Sequence, residues 1–127
     1  AVVGTCASGK SSVSQALVAL GFDAYAVSQE HSGVPELWKH LHPDIVLYLD
    51  NSLATLRRRR GNDAWPEWIY ETQLKRLTSA RAHAIVVIST DDLELDAVIG
   101  QAVAMLREIS SADFSGRSDS STASISH

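Results

Sequence analysis

The sequence predicts an α/β fold, a short parallel β-sheet flanked by helices on both faces. Residues 44–50 and 84–89 are continuous apolar runs, which are typical of strands buried on both faces of a parallel sheet. Segments with apolar residues at helical spacing lie between and after such strands. The predicted elements alternate as β-α-β-α-β-α-α-β-α, which favours a parallel sheet joined by right-handed crossovers.

The boundaries of these elements come from apolar spacing and from residues that start or stop helices. Gly21 is suited to end the first helix, Ser52 to cap the third, and Pro66 to open the fourth. That fourth helix is expected to bury Tyr70, Leu74 and Leu77. The predicted strands are residues 1–3, 22–27, 44–50 and 84–89, and the predicted helices are residues 11–20, 36–41, 52–60, 66–83 and 95–109.

Composition limits the classes of protein to which the chain could belong. The chain has 127 residues, 45% hydrophobic and 20% charged, which is enough apolar material for the core of one soluble domain. A formal net charge of -4 disfavours a nucleic-acid binder, and no apolar run is long enough to span a membrane. One cysteine cannot form an internal disulfide, so a cytoplasmic location is expected. Residues 1–109 should form the domain, and the Ser-rich residues 110–127 a solvated tail.

Residues 4–11, Gly-Thr-Cys-Ala-Ser-Gly-Lys-Ser, match the phosphate-binding pattern G-x-x-x-x-G-K-[ST] between a predicted strand and a predicted helix. Gly4 and Gly9 let the backbone approach phosphates, and the N–H groups of the loop and helix start form an anion site. Lys10 can reach the β- and γ-phosphates, and the Ser11 hydroxyl can ligate Mg²⁺. Because the sequence has no GTP-type N-K-x-D run, the favoured nucleotide is ATP. The predicted nucleotide-binding residues are Gly4, Thr5, Cys6, Ala7, Ser8, Gly9, Lys10, Ser11 and Ser12.

The order of these parts resembles the small P-loop kinases, members of the P-loop NTPase superfamily that phosphorylate nucleosides, nucleotides and other metabolites. The resemblance covers residues 1–109 and is specific only at the loop. It implies a three-layer P-loop NTPase sandwich that transfers the γ-phosphate of ATP to a small-molecule acceptor. In that family a strand with a Tyr-Leu ending, like Tyr48-Leu49 here, precedes a helix with arginines and a lid turn.

Arg57 to Arg60 stand where the resemblance places lid arginines, which stabilise negative charge on the transferring phosphoryl group. A helix turns about 100° per residue, so the four cannot all face one ligand. Arg59 and Arg60 lie nearest the turn and are the predicted pair. Two other interpretations stay open: a solvated helix end whose cations favour the macrodipole, and a nucleic-acid contact, which the acidic composition disfavours.

Two acidic residues are candidates for organising Mg²⁺ or for acting on the acceptor hydroxyl. Asp50 ends the apolar strand 44–50, and Glu30 follows the earlier strand within Ser-Gln-Glu-His-Ser. The resemblance favours Glu30 as the general base, since an acid near the carboxyl ends of a parallel sheet is well placed for that work. An exposed loop acid without a catalytic role is the alternative for Glu30. The predicted catalytic residues are Lys10, Glu30, Arg59 and Arg60.

The chain departs from the kinase pattern between its first helix and the strand before the lid, where the intervening segment is short. Residues 28–42 either form a compact acceptor site, with Trp38 as a stacking surface, or leave a reduced acceptor site that puts phosphotransfer in doubt. Core or helix packing is the alternative, and more common, role for Trp38. Two alternatives to a kinase therefore stay open: a non-catalytic ATP-binding regulator or switch, and an NTPase stimulated by a partner protein. Trp65 and Trp68 are expected to form an apolar patch that pairs subunits in a homodimer.

Three smaller patterns have weaker implications. His40 and His42 are close in sequence, but no further ligands follow at zinc-like spacing, so no metal site is expected there. Cys6 is expected to contribute little beyond its small size. The turn Thr90-Asp91-Asp92 is expected either to line the adenine pocket or to cap the last helix.

Overall fold

The computed structural model describes residues 1–34 and 36–116, which are arranged around a three-stranded parallel sheet. The strands are β1 (Val2–Gly4), β2 (Leu47–Asp50) and β3 (Val86–Ser89), in the spatial order β1-β2-β3. Val3 pairs with Tyr48, and Tyr48 pairs with Val87 on its other side. The predicted α/β class and parallel sheet are confirmed. The central strand is almost wholly buried because it has a neighbour on each edge and helices on each face.

The described residues contain five α-helices and two short 3₁₀ helices. The α-helices are α1 (Lys10–Ala19), α2 (Leu53–Arg60), α3 (Glu67–Arg76), α4 (Thr78–His83) and α5 (Leu95–Gly116), and the 3₁₀ helices are Gln29–His31 and Leu37–Lys39. In this part of the chain, no helix combines the length and apolar character needed to cross a membrane. The last helix continues past residue 109, where we expected it to end. Residues 117–127 of the expected tail lie outside the described residues.

Two helix ends follow the sequence signals. Gly21 adopts a φ of 96° just beyond α1, which is the left-handed conformation that ends helices. The Ser52 hydroxyl accepts a hydrogen bond from the backbone N–H of Thr55 at 3.2 Å, so Ser52 caps α2 as predicted.

The expectation of one helix over residues 66–83 is wrong, because the chain breaks it at Leu77. The backbone N–H of Leu77 is shared between the carbonyl oxygens of Gln73 (3.0 Å) and Leu74 (3.2 Å), and α4 begins at the next residue. Leu77 is fully buried as predicted, whereas Leu74 is 36% exposed. Within α3, the buried residue is Gln73.

Helices cover both faces of the sheet and give three layers. On one face, α1 and α5 pack against the sheet through a core of apolar side chains: Val13, Leu17, Val98, Ala102 and Leu106 against Leu47, Leu49 and Ile88. On the other face, Leu77 and Ala80 pack with Val3, Tyr48 and Trp38. Trp38 is therefore a core residue, which is the more common of its two predicted roles, and it does not offer a stacking surface for an acceptor.

The predicted strand 22–27 is reduced to a single parallel bridge beside β1. The backbone N–H of Val2 donates to Tyr25 O at 2.8 Å, and that of Val27 donates to Val2 O at 3.0 Å. Beyond this bridge, the chain continues into the 3₁₀ helix Gln29–His31, which contains Glu30.

Candidate functional site

The loop between β1 and α1 lies at the carboxyl edge of the sheet, where ligands of parallel α/β proteins bind. Gly9 precedes α1 with a φ of 93°, a conformation that a residue with a side chain rarely adopts. No side chain caps this end of α1 among the described residues. The first backbone N–H groups of a helix have no partner within it, so those of Lys10, Ser11 and Ser12 are donors for a ligand.

Gly4 is required by a close approach of two backbones. A Cβ built on Gly4 would collide with the carbonyl oxygen of Leu49 and would lie 2.8 Å from Ser8 Oγ. The neighbouring backbone of β2 cannot move aside as a flexible side chain can. The first glycine of the motif therefore lets the loop leave the sheet while staying in contact with it.

Two buried amide side chains hold the loop, and the sequence analysis missed both. Asn51 Oδ1 accepts a hydrogen bond from the Thr5 hydroxyl, and its Nδ2 donates to Cys6 O at 3.0 Å. Gln73 Oε1 accepts from the Cys6 N–H at 3.0 Å, and its Nε2 lies 3.0 Å from Cys6 Sγ. Asn51 directly follows β2, so the rule applied to strand ends would have found it. No sequence pattern within α3 distinguishes Gln73 from the other polar residues of that helix.

Lys10 and Glu30 are brought together beneath the loop. Lys10 Nζ lies 2.5 Å from Glu30 Oε2, and Lys10 also donates to Thr5 O at 3.2 Å. Both side chains are largely buried. The second carboxylate oxygen, Glu30 Oε1, is buried and has no hydrogen-bond partner among the described residues. Glu30 is thus the candidate acid that lies at the loop.

Asp50, the other candidate acid, has different neighbours. Side chains alternate along a strand, so Asp50 projects to the same face as Tyr48, toward α3 and α4. Burial raises the pKa of Asp50, and the charge of Arg81 partly offsets that effect. Burial also raises the pKa of Tyr48, to about 12. Asp50 is thus a strand-end residue on the face away from the α1 core.

The four consecutive arginines separate into different roles. Arg59 donates to Ala7 O at 2.8 Å and to Thr90 Oγ1 at 3.0 Å, and it also contacts Thr90 O. Arg57 instead holds the carbonyl oxygen of Trp65 with two of its nitrogens. Arg58 donates to Asp91 O at 3.2 Å, and Arg60 is exposed. Of the predicted pair, Arg59 is in contact with the loop.

Two clefts border the loop region. One, of about 420 Å³, is lined by the loop residues 7–9, Arg59, Thr90 and Leu95. The other, of about 260 Å³, is lined by Glu30, His31, Arg76, Trp65 and Trp68 among others. Arg76 Nη1 also approaches Glu30 O at 3.4 Å. One open cleft therefore borders the loop at residues 7–9, and the other borders Glu30.

The turn after β3 supports both the loop and α2. Thr90 lines the larger of the two clefts described above. That position is compatible with an adenine pocket, one of the two roles predicted for this turn. Asp91 Oδ1 accepts the backbone N–H of Ser52 at 2.7 Å, so Asp91 holds the residue that caps α2. This hydrogen bond lowers the pKa of Asp91, with hydrogen bonds from the Thr55 and Ser52 side chains adding to the effect.

Comparisons with protein-family models, with curated proteins and with solved structures find no match to this chain. Its chemistry is therefore inferred from the groups that the fold brings together. These are the backbone donors at the start of α1, the ammonium of Lys10, the carboxylate of Glu30, and the guanidinium of Arg59.

Proposed function

We propose that the chain binds ATP and Mg²⁺ at residues 4–12 and transfers the γ-phosphate to a small-molecule acceptor. The observation that carries this proposal is the contact between Lys10 and Glu30 at the start of α1. It puts a cation suited to phosphate oxygens beside a carboxylate suited to take a proton from a hydroxyl. In the reaction, the acceptor oxygen bonds to the γ-phosphorus, the bond to the ADP oxygen breaks, and Glu30 accepts the hydroxyl proton.

The nucleotide-binding part of the proposal rests on backbone N–H groups at the start of α1, which have no partner within the helix. The N–H groups at the start of α1 face the loop, and the positive end of the helix dipole favours an anion there. The exposed Ser11 hydroxyl is free to ligate Mg²⁺ in the manner of other P-loops. Arg59 already touches the loop carbonyl of Ala7, so a small shift of its side chain would bring it to a phosphate.

Nucleotide binding would also prepare Glu30 for its role. Without a phosphate, Lys10 is neutralised by Glu30. A triphosphate offers Lys10 a stronger anionic partner, so Lys10 would turn to the β- and γ-phosphates and leave the carboxylate free as a base. The exchange makes the base available only when the phosphoryl donor is bound.

The acceptor half of the proposal rests on the smaller cleft beside Glu30. Arg76 supplies a guanidinium there, which is suited to a carboxylate or phosphate on the acceptor. Trp65 and Trp68 supply apolar ring surface, and Trp68 is 67% exposed. An anionic small molecule with one free hydroxyl therefore suits the cleft. Pairing of two subunits through the same tryptophans is the competing use of this surface, and sedimentation at high protein concentration distinguishes the two.

The test is incubation with γ-phosphate-labelled ATP, Mg²⁺ and a mixture of small anionic metabolites. Wild type is compared with Lys10→Ala and with Lys75→Ala, a matched control on the exposed face of α3. We expect label on a metabolite with wild type and the control, and none with Lys10→Ala. Binding of ATP without transfer would replace the kinase by a regulator, and phosphate release that a partner accelerates would replace it by an NTPase. Equal ATP affinity in wild type and Lys10→Ala would overturn the nucleotide site itself.

A further inference from the structure

We propose that Cys6, Glu30 and His31 form a binding site for a thiophilic divalent cation of the Zn²⁺ class. Their potential ligand atoms, one sulfur, one carboxylate oxygen and one imidazole nitrogen, all lie within 4.8 Å of one another. The site is separate from the Mg²⁺ position predicted at Ser11, but it shares Glu30 with the proposed kinase site, so an ion bound there would compete with the role of Glu30 as a base. The sequence did not reveal it, because Cys6 lies in the loop and His31 lies in the 3₁₀ helix Gln29–His31, far along the chain.

The distances between these atoms suit a tetrahedral ion. Cys6 Sγ lies 3.3 Å from His31 Nε2, and His31 Nε2 lies 3.6 Å from Glu30 Oε2. Zinc bonds of about 2.3 Å to sulfur and about 2.0–2.2 Å to nitrogen and oxygen, at tetrahedral angles, separate neighbouring ligand atoms by about 3.4–3.6 Å. Little movement is therefore needed for the three groups to coordinate one ion. Three protein ligands leave the fourth position to water.

A buried oxygen without a partner provides the second argument. Glu30 Oε1 has no hydrogen-bond partner among the described residues, although the residue is 2% exposed. Leaving such an acceptor unpaired in the interior is costly, and a cation bound by both carboxylate oxygens, or by Oε1 after a rotation of the carboxylate, would satisfy it. Lys10 already neutralises one side of this carboxylate, so it is the charge with which the ion would compete.

The surroundings fit a cation that binds sulfur. Gln73 Nε2 donates to Cys6 Sγ at 3.0 Å, the kind of outer hydrogen bond that orients a metal-bound thiolate. His31 has a side chain that is 58% exposed, which gives the ion a route from solvent. A thiolate and an imidazole select Zn²⁺ over Mg²⁺, which prefers oxygen ligands. On binding, the Cys6 S–H bond breaks, a sulfur–metal bond forms and the proton passes to solvent.

The test is titration of the reduced full chain with Co²⁺, a spectroscopic substitute for Zn²⁺. We expect a thiolate-to-metal charge-transfer absorption that saturates at one equivalent and disappears when Zn²⁺ displaces the Co²⁺. Cys6→Ser should abolish this absorption, and His31→Gln should weaken Zn²⁺ affinity by about 100-fold or more, since even the loss of an outer partner costs about 10–100-fold. His31 is exposed, so this second variant keeps the test valid if Cys6→Ser does not fold.

His42→Gln is the matched control, because the pair His40 and His42 is the other place where imidazoles lie close in sequence. We expect it to bind like wild type. No charge-transfer absorption in the folded wild type would overturn the proposal. Equal affinity of His31→Gln and wild type, or an equal loss in His42→Gln, would also overturn it. The readout requires no turnover, so this proposal and the proposed kinase activity can fail separately.

Discussion

Lys10 Nζ and Glu30 Oε2 lie 2.5 Å apart, in a pair whose side chains are 11% and 3% exposed. The first belongs to the start of α1, and the second to the 3₁₀ helix Gln29–His31 beyond the edge of β1. Removing one member of a buried ion pair leaves the other charge without compensation. The pair therefore links Lys10, which belongs to the phosphate-binding pattern, to Glu30, an acid that lies outside the pattern.

We expect Glu30→Gln to separate ATP binding from phosphotransfer. The amide keeps the shape of the carboxylate but cannot act as a base, so transfer should fall by about 100-fold or more. ATP affinity should be kept or increased, because Lys10 loses its competing anion. Calorimetric titration with ATP and initial rates of label transfer measure the two effects.

The control for that variant is Glu71→Gln, which removes a carboxylate from the exposed side of α3. It should leave both ATP affinity and transfer unchanged. A transfer rate in Glu30→Gln within twofold of wild type would show that Glu30 is not the base.

We expect Arg59 and Arg60 to differ although they are adjacent. Both side chains are exposed, but Arg59 bonds to Ala7 and Thr90 at the loop, whereas the Arg60 side chain makes no hydrogen bond to the described residues. Arg59→Ala should weaken ATP binding by about tenfold or more, since a hydrogen bond to a charged group contributes about 1.5–3 kcal/mol. Arg60→Ala should stay within about twofold of wild type. Equal losses in both variants would favour a general electrostatic effect of the helix end over a specific contact.

Local patterns in the sequence predicted the loop, α1 and the two later strands because each depends on neighbouring residues. The glycines that shape the loop are part of the phosphate-binding pattern, and continuous apolar runs such as residues 44–50 indicate buried strands. The capping of α2 by Ser52 was visible for the same reason. Features that arise within a few residues can be read before the fold is known.

The contacts that shape the site depend on residues far apart in sequence. Gln73 meets Cys6 across 67 positions and Asn51 meets it across 45, and no local signal selects these partners. Core packing and a stacking surface were both open for Trp38 from the sequence, and its packing with Val3 and Tyr48 in the fold decides for the core. No glycine or proline marks the break at Leu77 in the sequence.

We expect Gly4→Ala to destabilise the fold. The added methyl group would collide with the carbonyl oxygen of Leu49, and backbone of a central strand cannot yield easily. Overpacking of this kind costs about 1–3 kcal/mol in the free energy of unfolding, and we expect a value near the upper end. Urea denaturation of the two proteins measures the difference.

Gly100→Ala is the matched control for that substitution, because Gly100 lies in α5 with nothing near its Cβ position. Alanine there should stabilise the protein by about 0.5–1 kcal/mol through its helix propensity. If both variants change stability in the same direction, the close approach at Gly4 is not the cause.

We expect the stabilising effect of Asp91 to depend on pH. Its carboxylate accepts the Ser52 N–H at the start of α2, and this hydrogen bond lowers the pKa of Asp91 from 3.8. A group whose pKa is lower in the folded protein stabilises the fold fully above its unfolded pKa and loses that effect as pH falls through the folded value. Asp91→Ala should therefore lower the free energy of unfolding at neutral pH by about 1 kcal/mol, which is the size of the effect that a carboxylate has at a helix start.

Urea denaturation of wild type and Asp91→Ala between neutral pH and about pH 3 tests this expectation, with Asp92→Ala as the exposed neighbouring control. The difference between wild type and Asp91→Ala should shrink as the pH falls below 3.8, because the unfolded chain then takes up a proton at Asp91 while the folded protein keeps the carboxylate ionised, and the loss is complete once the folded protein is protonated as well. Asp92→Ala should show a smaller difference at every pH, since Asp92 does not bond to Ser52. A difference that stays constant over the whole range would mean that Asp91 acts through packing, and its charge would have no part in holding α2 against the turn after β3.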